Sequence, residues 1–430
     1  MTKIKDRSLI TFLLVICLAL NGYTQNSQTK EDLQAKQDSI LLAKFYETAR
    51  KPVYWFSSPK NIKRANEWLT TLESRAVKLM GFEVNNMQTD QLQAVLKQGK
   101  KLDNTRKQKA DKQITALVLR FIKFLHQGEV PLKYDAISEN RDSAYVSQLL
   151  ESQNNGSVET TILQLDSNDR DYLKLKKYLE DSVSDKASVM AKKIYLTMNY
   201  MRFLSANSSK EQIIVNIPEA HAIYYRDKLP TVDMRVVPGT KDDPTPTMAS
   251  YITSIITFPP WKVPQRIAVD EILPEVQKDE KYLKEKKFIV VYSKENEVDR
   301  KDLKWEEYDK DNFPYFFQQQ PGPDNSLGVI KFNLKNPLSI YLHATNWHGA
   351  FEQDSRFLSH GCVRLEKPYQ LANAILRGEI GREELAKVRD NIETKEYTIK
   401  RKIPTFLVYM PAVVNGNKVT LLNDIYSLIQ

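Results

Sequence analysis

Two apolar spacings divide this chain. From about residue 31 to 205, apolar positions recur every three or four residues, the period of helices that bury one face. Ala65, Trp68, Leu69, Leu72, Ala76, Leu79 and Met80 make one such stripe. Ser58-Pro59 supplies an N-cap and a proline at the first helical position, and Gly81 is placed to stop it. A second stripe, Ala110, Ile114, Leu117, Val118, Phe121 and Leu125, ends at Gly128 and Pro131. Further helices are predicted over 171–181 and 187–204, with the NNGS at Asn154–Ser157 as loop. From Glu211 onward the period shortens. IIVNI (213–217), AIYY (222–225), MRVV (234–237), YITSIITF (251–258), KFIVVY (287–292), VIKFNL (329–334) and SIYLHA (339–344) are short β-type runs separated by turn residues. A helix fits Tyr369–Leu376. Near the end TFLVYM and KVTLL flank PAVVNGN, whose Asn415-Gly416 is a two-residue hairpin signal. The stretch from Pro259 to Asp324 is charged, aromatic and irregular, as expected of an insertion lying over a sheet. The pattern therefore predicts an α+β chain, all-helical first and β-rich afterwards.

Residues 1–24 depart from both patterns. A basic start (Lys3, Lys5, Arg7) precedes the apolar run Leu9–Leu20 and the polar NGYTQ, the layout of a secretory signal. The run is short for a membrane span. Cys17 follows Ile16, where a lipidation signal carries a small residue. The expectation is an exported chain with no membrane span once the signal is cleaved, or one anchored by it if it is retained. The net charge of +9 is spread along the chain. Attraction to anionic envelope polymers fits this, whereas no basic arm or zinc-finger spacing points to nucleic acid.

Chemistry concentrates in one window, YLHATNWHGAFEQDSRFLSHGCVRL, from Tyr341 to Leu365. The chain has two cysteines and five histidines, and Cys362, His343, His348 and His360 all fall inside it. With Cys17 in the signal, Cys362 is an unpaired thiol of an exported chain. Gly361 before it lets the backbone turn sharply and brings amide groups to where an oxyanion hole needs them. Arg364 could stabilise a thiolate or bind a substrate carboxylate. Three readings compete: a nucleophile activated by histidine, a buried structural thiol, and a zinc site made of His343, His348, His360 and Cys362. The zinc spacing fits no familiar finger, and a merely structural thiol leaves its His, Gly and Arg neighbours unexplained. His126, at a helix end, is explained by packing or dipole compensation.

SHGCVR, with His343 of YLHAT nineteen positions before Cys362, resembles the signature of YkuD-type L,D-transpeptidases. The likeness extends through IIVNIPEAHAIYY, MRVVPGTKDDPTPTMAS, PPWKVPQRIAVDEILPEV, PGPDNSLGVIKFNL, EKPYQLANAIL, IPTFLVYM and NDIYSLI, across about 211–430. It is similar to the large periplasmic YcbB-like branch, whose scaffold domain the helical half, including FIKFLHQGEVPLKY, also resembles. One departure is that no three-helix peptidoglycan-binding module fits between Tyr172 and Leu204.

The resemblance implies a signal peptide at 1–24, a helical scaffold domain at 25–208 and a catalytic domain at 209–430, with a capping insertion at about 262–320. It implies Cys362 as nucleophile and His343 as general base, its ring oriented by the backbone that follows. The Gly361 and Cys362 amides would form the oxyanion hole. Ser359, His360, Arg364, Tyr341 and His348 are the candidate substrate-binding residues, although His348 fits a loop position equally well. His221 reads as structural. The implied partners are peptidoglycan stem peptides, a donor tetrapeptide and an acceptor amine, with other cell-wall enzymes possible. No metal or cofactor is implied, and a carbapenem would acylate the cysteine.

Overall fold

A computed structural model describes residues 39–153, 156–185, 187–292, 296–381 and 393–429. The predicted signal segment with Cys17, the first residues of the helical half, and Asn154 and Asn155 of the NNGS loop lie outside the described residues. The chain divides into two compact units: residues up to Gly128 with Asn140–Asp169, and Glu129–Glu139 with everything from Arg170 on.

The first unit is helical. Helix α1 (Pro59–Leu72) starts where the sequence placed it, with the Ser58 side chain accepting from Asn61 N at 3.1 Å. It does not run to Met80. The chain breaks at Glu73, and Ser74 caps a separate short helix, Arg75–Lys78. A serine in mid-stripe offers its oxygen to the backbone, which is why it starts helices more readily than it continues them. Helix α2 (Asn104–Gln127) follows its stripe to Gly128, whose φ is +65°. The buried carboxylate of Asp111 on α2 accepts from Tyr54 N at 3.0 Å, Trp55 N at 2.7 Å and Tyr46 Oη at 2.7 Å. That satisfies a group whose burial would otherwise be costly.

The second unit is built on one sheet. Its strands are β1 (Glu211–Asn216), β2 (His221–Arg226), β3 (Leu229–Val237), β4 (Met248–Thr257), β5 (Ile330–Leu334), β6 (Tyr341–His343), β7 (Val363–Leu365), β8 (Lys395–Thr398) and β9 (Pro404–Val408). The order β4-β5-β6-β7-β3-β2-β1-β9 closes on itself, because β9 pairs back to β4; β8 also lies on β4. Alternate residues fill the core. Phe332, Leu342 and Val363 are fully buried in one apolar cluster with Leu371 and Ile375 of a helix at Pro368–Ile375. The helix at Val189–Ala206 belongs to this unit too, since its Tyr200, Phe203 and Leu204 join the same cluster. The compact units therefore part near residue 170, not at 208, and 129–139 goes with the sheet through Tyr134–Asp135 beside β4. In the C-terminal hairpin Asn415 pairs with Lys418, so the turn is Gly416-Asn417, one residue later than the sequence signal suggests.

Between β4 and β5 the irregular stretch has its own fold. Strands at Trp261–Lys262, Phe316–Gln319, Phe288–Tyr292 and Asn296–Glu297 form a small sheet, in that order. Helical turns across Gln265–Lys278 complete a separate core containing Ile267, Leu273, Phe288 and Phe317. Trp305, read from sequence as part of a cover, is buried in that core.

Candidate active site

The three strands β5, β6 and β7 put polar residues on the face opposite the core. Lys331 pairs with His343 and Asn333 with Tyr341; on the other side His343 pairs with Arg364. One step back along that parallel register sets Cys362 beside Tyr341. Strand pleating thus places Tyr341, His343, Cys362 and Arg364 on one face. All four line a cavity of about 530 Å³. Its other wall is the insertion, through residues including Trp261, Ile267, Glu271, Tyr282 and Phe288.

Backbone contacts fix the turn that delivers Cys362. Gly361 has φ +101°, a conformation that L side chains rarely adopt. The Ser359 hydroxyl donates to the Cys362 carbonyl and accepts from Gly361 N at 3.2 Å. Thr245 Oγ1 donates to the Gly361 carbonyl at 2.8 Å and accepts from Gly239 N at 2.8 Å. The Gly361 amide is therefore committed within the turn. This removes it from the predicted oxyanion pair and leaves the Cys362 amide as the candidate donor.

His343 and the Cys362 thiol are neutral at rest. His343 is buried, and the backbone of Ala344 and Leu327 lies against its ring and favours its protonated form. Burial, followed by the Arg364 and Lys331 charges, pushes its pKa down to about 3. Burial pushes the Cys362 thiol up to about 11, against opposing contributions from Tyr341 and Lys331. Desolvation thus outweighs the nearby positive charge. Cys362 Sγ points to the Ser339 carbonyl at 3.7 Å. Among the described residues it makes no hydrogen bond to His343. What the arrangement offers is a neutral base and a thiol in one cavity, suited to attack coupled with proton transfer.

The remaining predicted residues separate. His360 lines the cavity and pairs with Glu271 of the insertion at 2.8 Å. Arg364 lies 6.0 Å over the Trp347 ring, its pKa lowered by burial. His348 is exposed on a 3-10 turn and is not among the lining residues, which also dissolves the four-ligand zinc reading. Among the described residues no three of His, Cys, Asp and Glu gather to hold a metal ion. His221 Nε2 meets Asp233 Oδ1 at 2.7 Å, bracing β2 against β3. Sequence reasoning missed Lys331: a lone lysine in a strand reads as a solvent-facing position.

Residues 210–388 match the family described as the L,D-transpeptidase catalytic domain, and residues 40–179 match a scaffold domain. A Haemophilus influenzae protein named "Putative L,D-transpeptidase" is 36% identical over 233 residues, 54% of this chain and 47% of that protein. The chain thus spans about half the length of this relative. A solved structure of the Ldtfm–avibactam carbamoyl enzyme covers 46% of this chain and 49% of that one, at 12% identity and TM-score 0.24. An Enterococcus faecium L,D-transpeptidase mutant covers 47% and 51%, at 12% identity and TM-score 0.22.

Proposed function

The chain carries an L,D-transpeptidase catalytic domain at 210–388 and a scaffold domain at 40–179, and from that premise we propose that it forms 3→3 peptidoglycan cross-links in the periplasm after export. The carrying observation is one sheet face that brings Cys362, His343, Tyr341 and Arg364 into a single cavity walled by the insertion. His343 takes the thiol proton as Cys362 Sγ bonds to the carbonyl carbon of the third residue of a donor tetrapeptide. The C–N bond to the terminal D-alanine breaks, and its amine leaves with the proton from His343. A side-chain amine of a second stem attacks the thioester and gives a proton to His343. Its new amide replaces the C–S bond, and the thiolate recovers that proton. Arg364 holds a stem carboxylate, and the Cys362 amide receives the oxyanion, where one such donor is worth about 10²–10³ in rate.

The insertion acts as the cap that excludes water and selects an amine. With water as acceptor the same site is an L,D-carboxypeptidase; with a protein lysine it anchors an envelope protein. Incubation with a disaccharide tetrapeptide, followed by mass spectrometry, separates these. A dimer lacking one D-alanine supports cross-linking. Tripeptide alone overturns it in favour of hydrolysis.

A further inference from the structure

Three basic side chains stand in a row across the site: Lys331 on β5 pairs with His343 on β6, which pairs with Arg364 on β7. They differ in what they face. The Lys331 ammonium lies 4.1 Å from the centre of the Tyr341 ring. Tyr341 is the cross-strand neighbour of Cys362, and its backbone and side chain both act to lower the thiol's pKa. Lys331 is also the charge that acts on Cys362; both it and Arg364 act on His343, Arg364 the more strongly. Among the described residues no carboxylate forms an ion pair with Lys331. Glu396 on β8 and Lys262 are the other charges that face it, with opposite effects, and burial works against its charge.

A half-buried ammonium without an ion-pair partner is costly unless an anion arrives during function. Here the anion within reach is the thiolate. We propose that Lys331 is a positioning residue which stabilises the Cys362 thiolate through Tyr341, leaving Arg364 free for an anionic part of the substrate. This rests on Cys362 being the nucleophile. Lys331 touches no reacting atom. It supplies a fixed positive field along the ring that borders the sulfur, and that field favours the charge which forms on attack and again on thioester breakdown.

The test needs no substrate. Iodoacetamide alkylation of Cys362 in the full chain, mapped by peptide mass spectrometry, is followed against pH for wild type, Lys331→Met, Lys331→Arg and Arg364→Met. The expected result is a rate about tenfold lower at pH 8 for Lys331→Met, equal to one pH unit in the thiol titration. Lys331→Arg recovers most of the loss and Arg364→Met changes the rate less than about twofold. Where Lys331→Met does not fold, Lys331→Gln carries the same expectation with a side chain that can still hydrogen-bond. Coincident wild-type and neutral-variant profiles overturn the proposal, as does a larger shift from Arg364→Met. Cross-linking that persists in Cys362→Ala would instead overturn the nucleophile, a distinguishable failure.

Discussion

Gly239→Ala should loosen the catalytic turn without touching a reactive group. Gly239 bridges Ser359, and Thr240 N donates to the Ser359 carbonyl at 2.9 Å. A Cβ at Gly239 would lie 2.0 Å from the Asp243 carbonyl oxygen, 2.8 Å from Thr245 N and 3.0 Å from Gly361 Cα. All three are backbone atoms, so no side-chain rotation relieves the overlap and the 240–245 loop must move. That movement strains the bonds Gly239 N to Thr245 Oγ1 and Thr245 Oγ1 to the Gly361 carbonyl, each 2.8 Å. Two buried hydrogen bonds at about 1 kcal/mol each, with some desolvated atoms left unpaired, give a loss of about 2–4 kcal/mol. Gly378→Ala is the control: φ is +91° but nothing lies within 4 Å, so only backbone strain of about 1–2 kcal/mol applies. Urea unfolding by circular dichroism gives the stabilities, and iodoacetamide reports the Cys362 environment. Gly239→Ala should lose more stability than Gly378→Ala and alone change the alkylation rate. Equal stabilities, or alkylation unchanged in Gly239→Ala, would refute the coupling of this loop to the turn.

Alkylation of Cys362 should climb about tenfold per pH unit from pH 7 to 10, since burial holds the thiol near about 11; a plateau below pH 8 would contradict this. His343 stays neutral in the fold down to about pH 3, while the unfolded chain takes up a proton below about 6.5. The unfolded state then binds more protons, so stability should fall as pH drops through that window, and His343→Gln should flatten the fall in urea midpoints. Excising the whole insertion is feasible because Trp261 pairs with Gln319, bringing its ends together. The excised protein should keep its sheet by circular dichroism and lose most turnover. A deletion of 275–310 alone would instead remove Val276, Leu283, Phe288 and Trp305 from the insertion's core and unfold it.

How much could be read in advance depended on the range of the interaction involved. Tyr341, His343 and Cys362 were legible because one short window holds them and a strand's alternation sets their face. The β-runs were legible for the same local reason. The break at Glu73 was hidden because the apolar stripe continues in register across it, although Ser74 was a visible cap. The packing of the 189–206 helix on the sheet was not legible, since an amphipathic face does not name its partner. Nor was the insertion's core, whose aromatics follow no single period. The thiol's high pKa was not legible either, because burial by elements distant in sequence sets it, and the Gly361 amide is committed to Ser359 by a turn whose carbonyl is held by the distant Thr245. Lys331 itself becomes visible once β5 lies beside β6.

The central claim is that Cys362 carries the acyl group. Brief incubation with donor tetrapeptide and no acceptor, followed by acid quench and intact-mass measurement, reads this directly. The account predicts one adduct per chain equal to the donor less D-alanine, mapped to the peptide containing Cys362 and absent from Cys362→Ala. An adduct on another residue, or cross-links formed by Cys362→Ala, would contradict it.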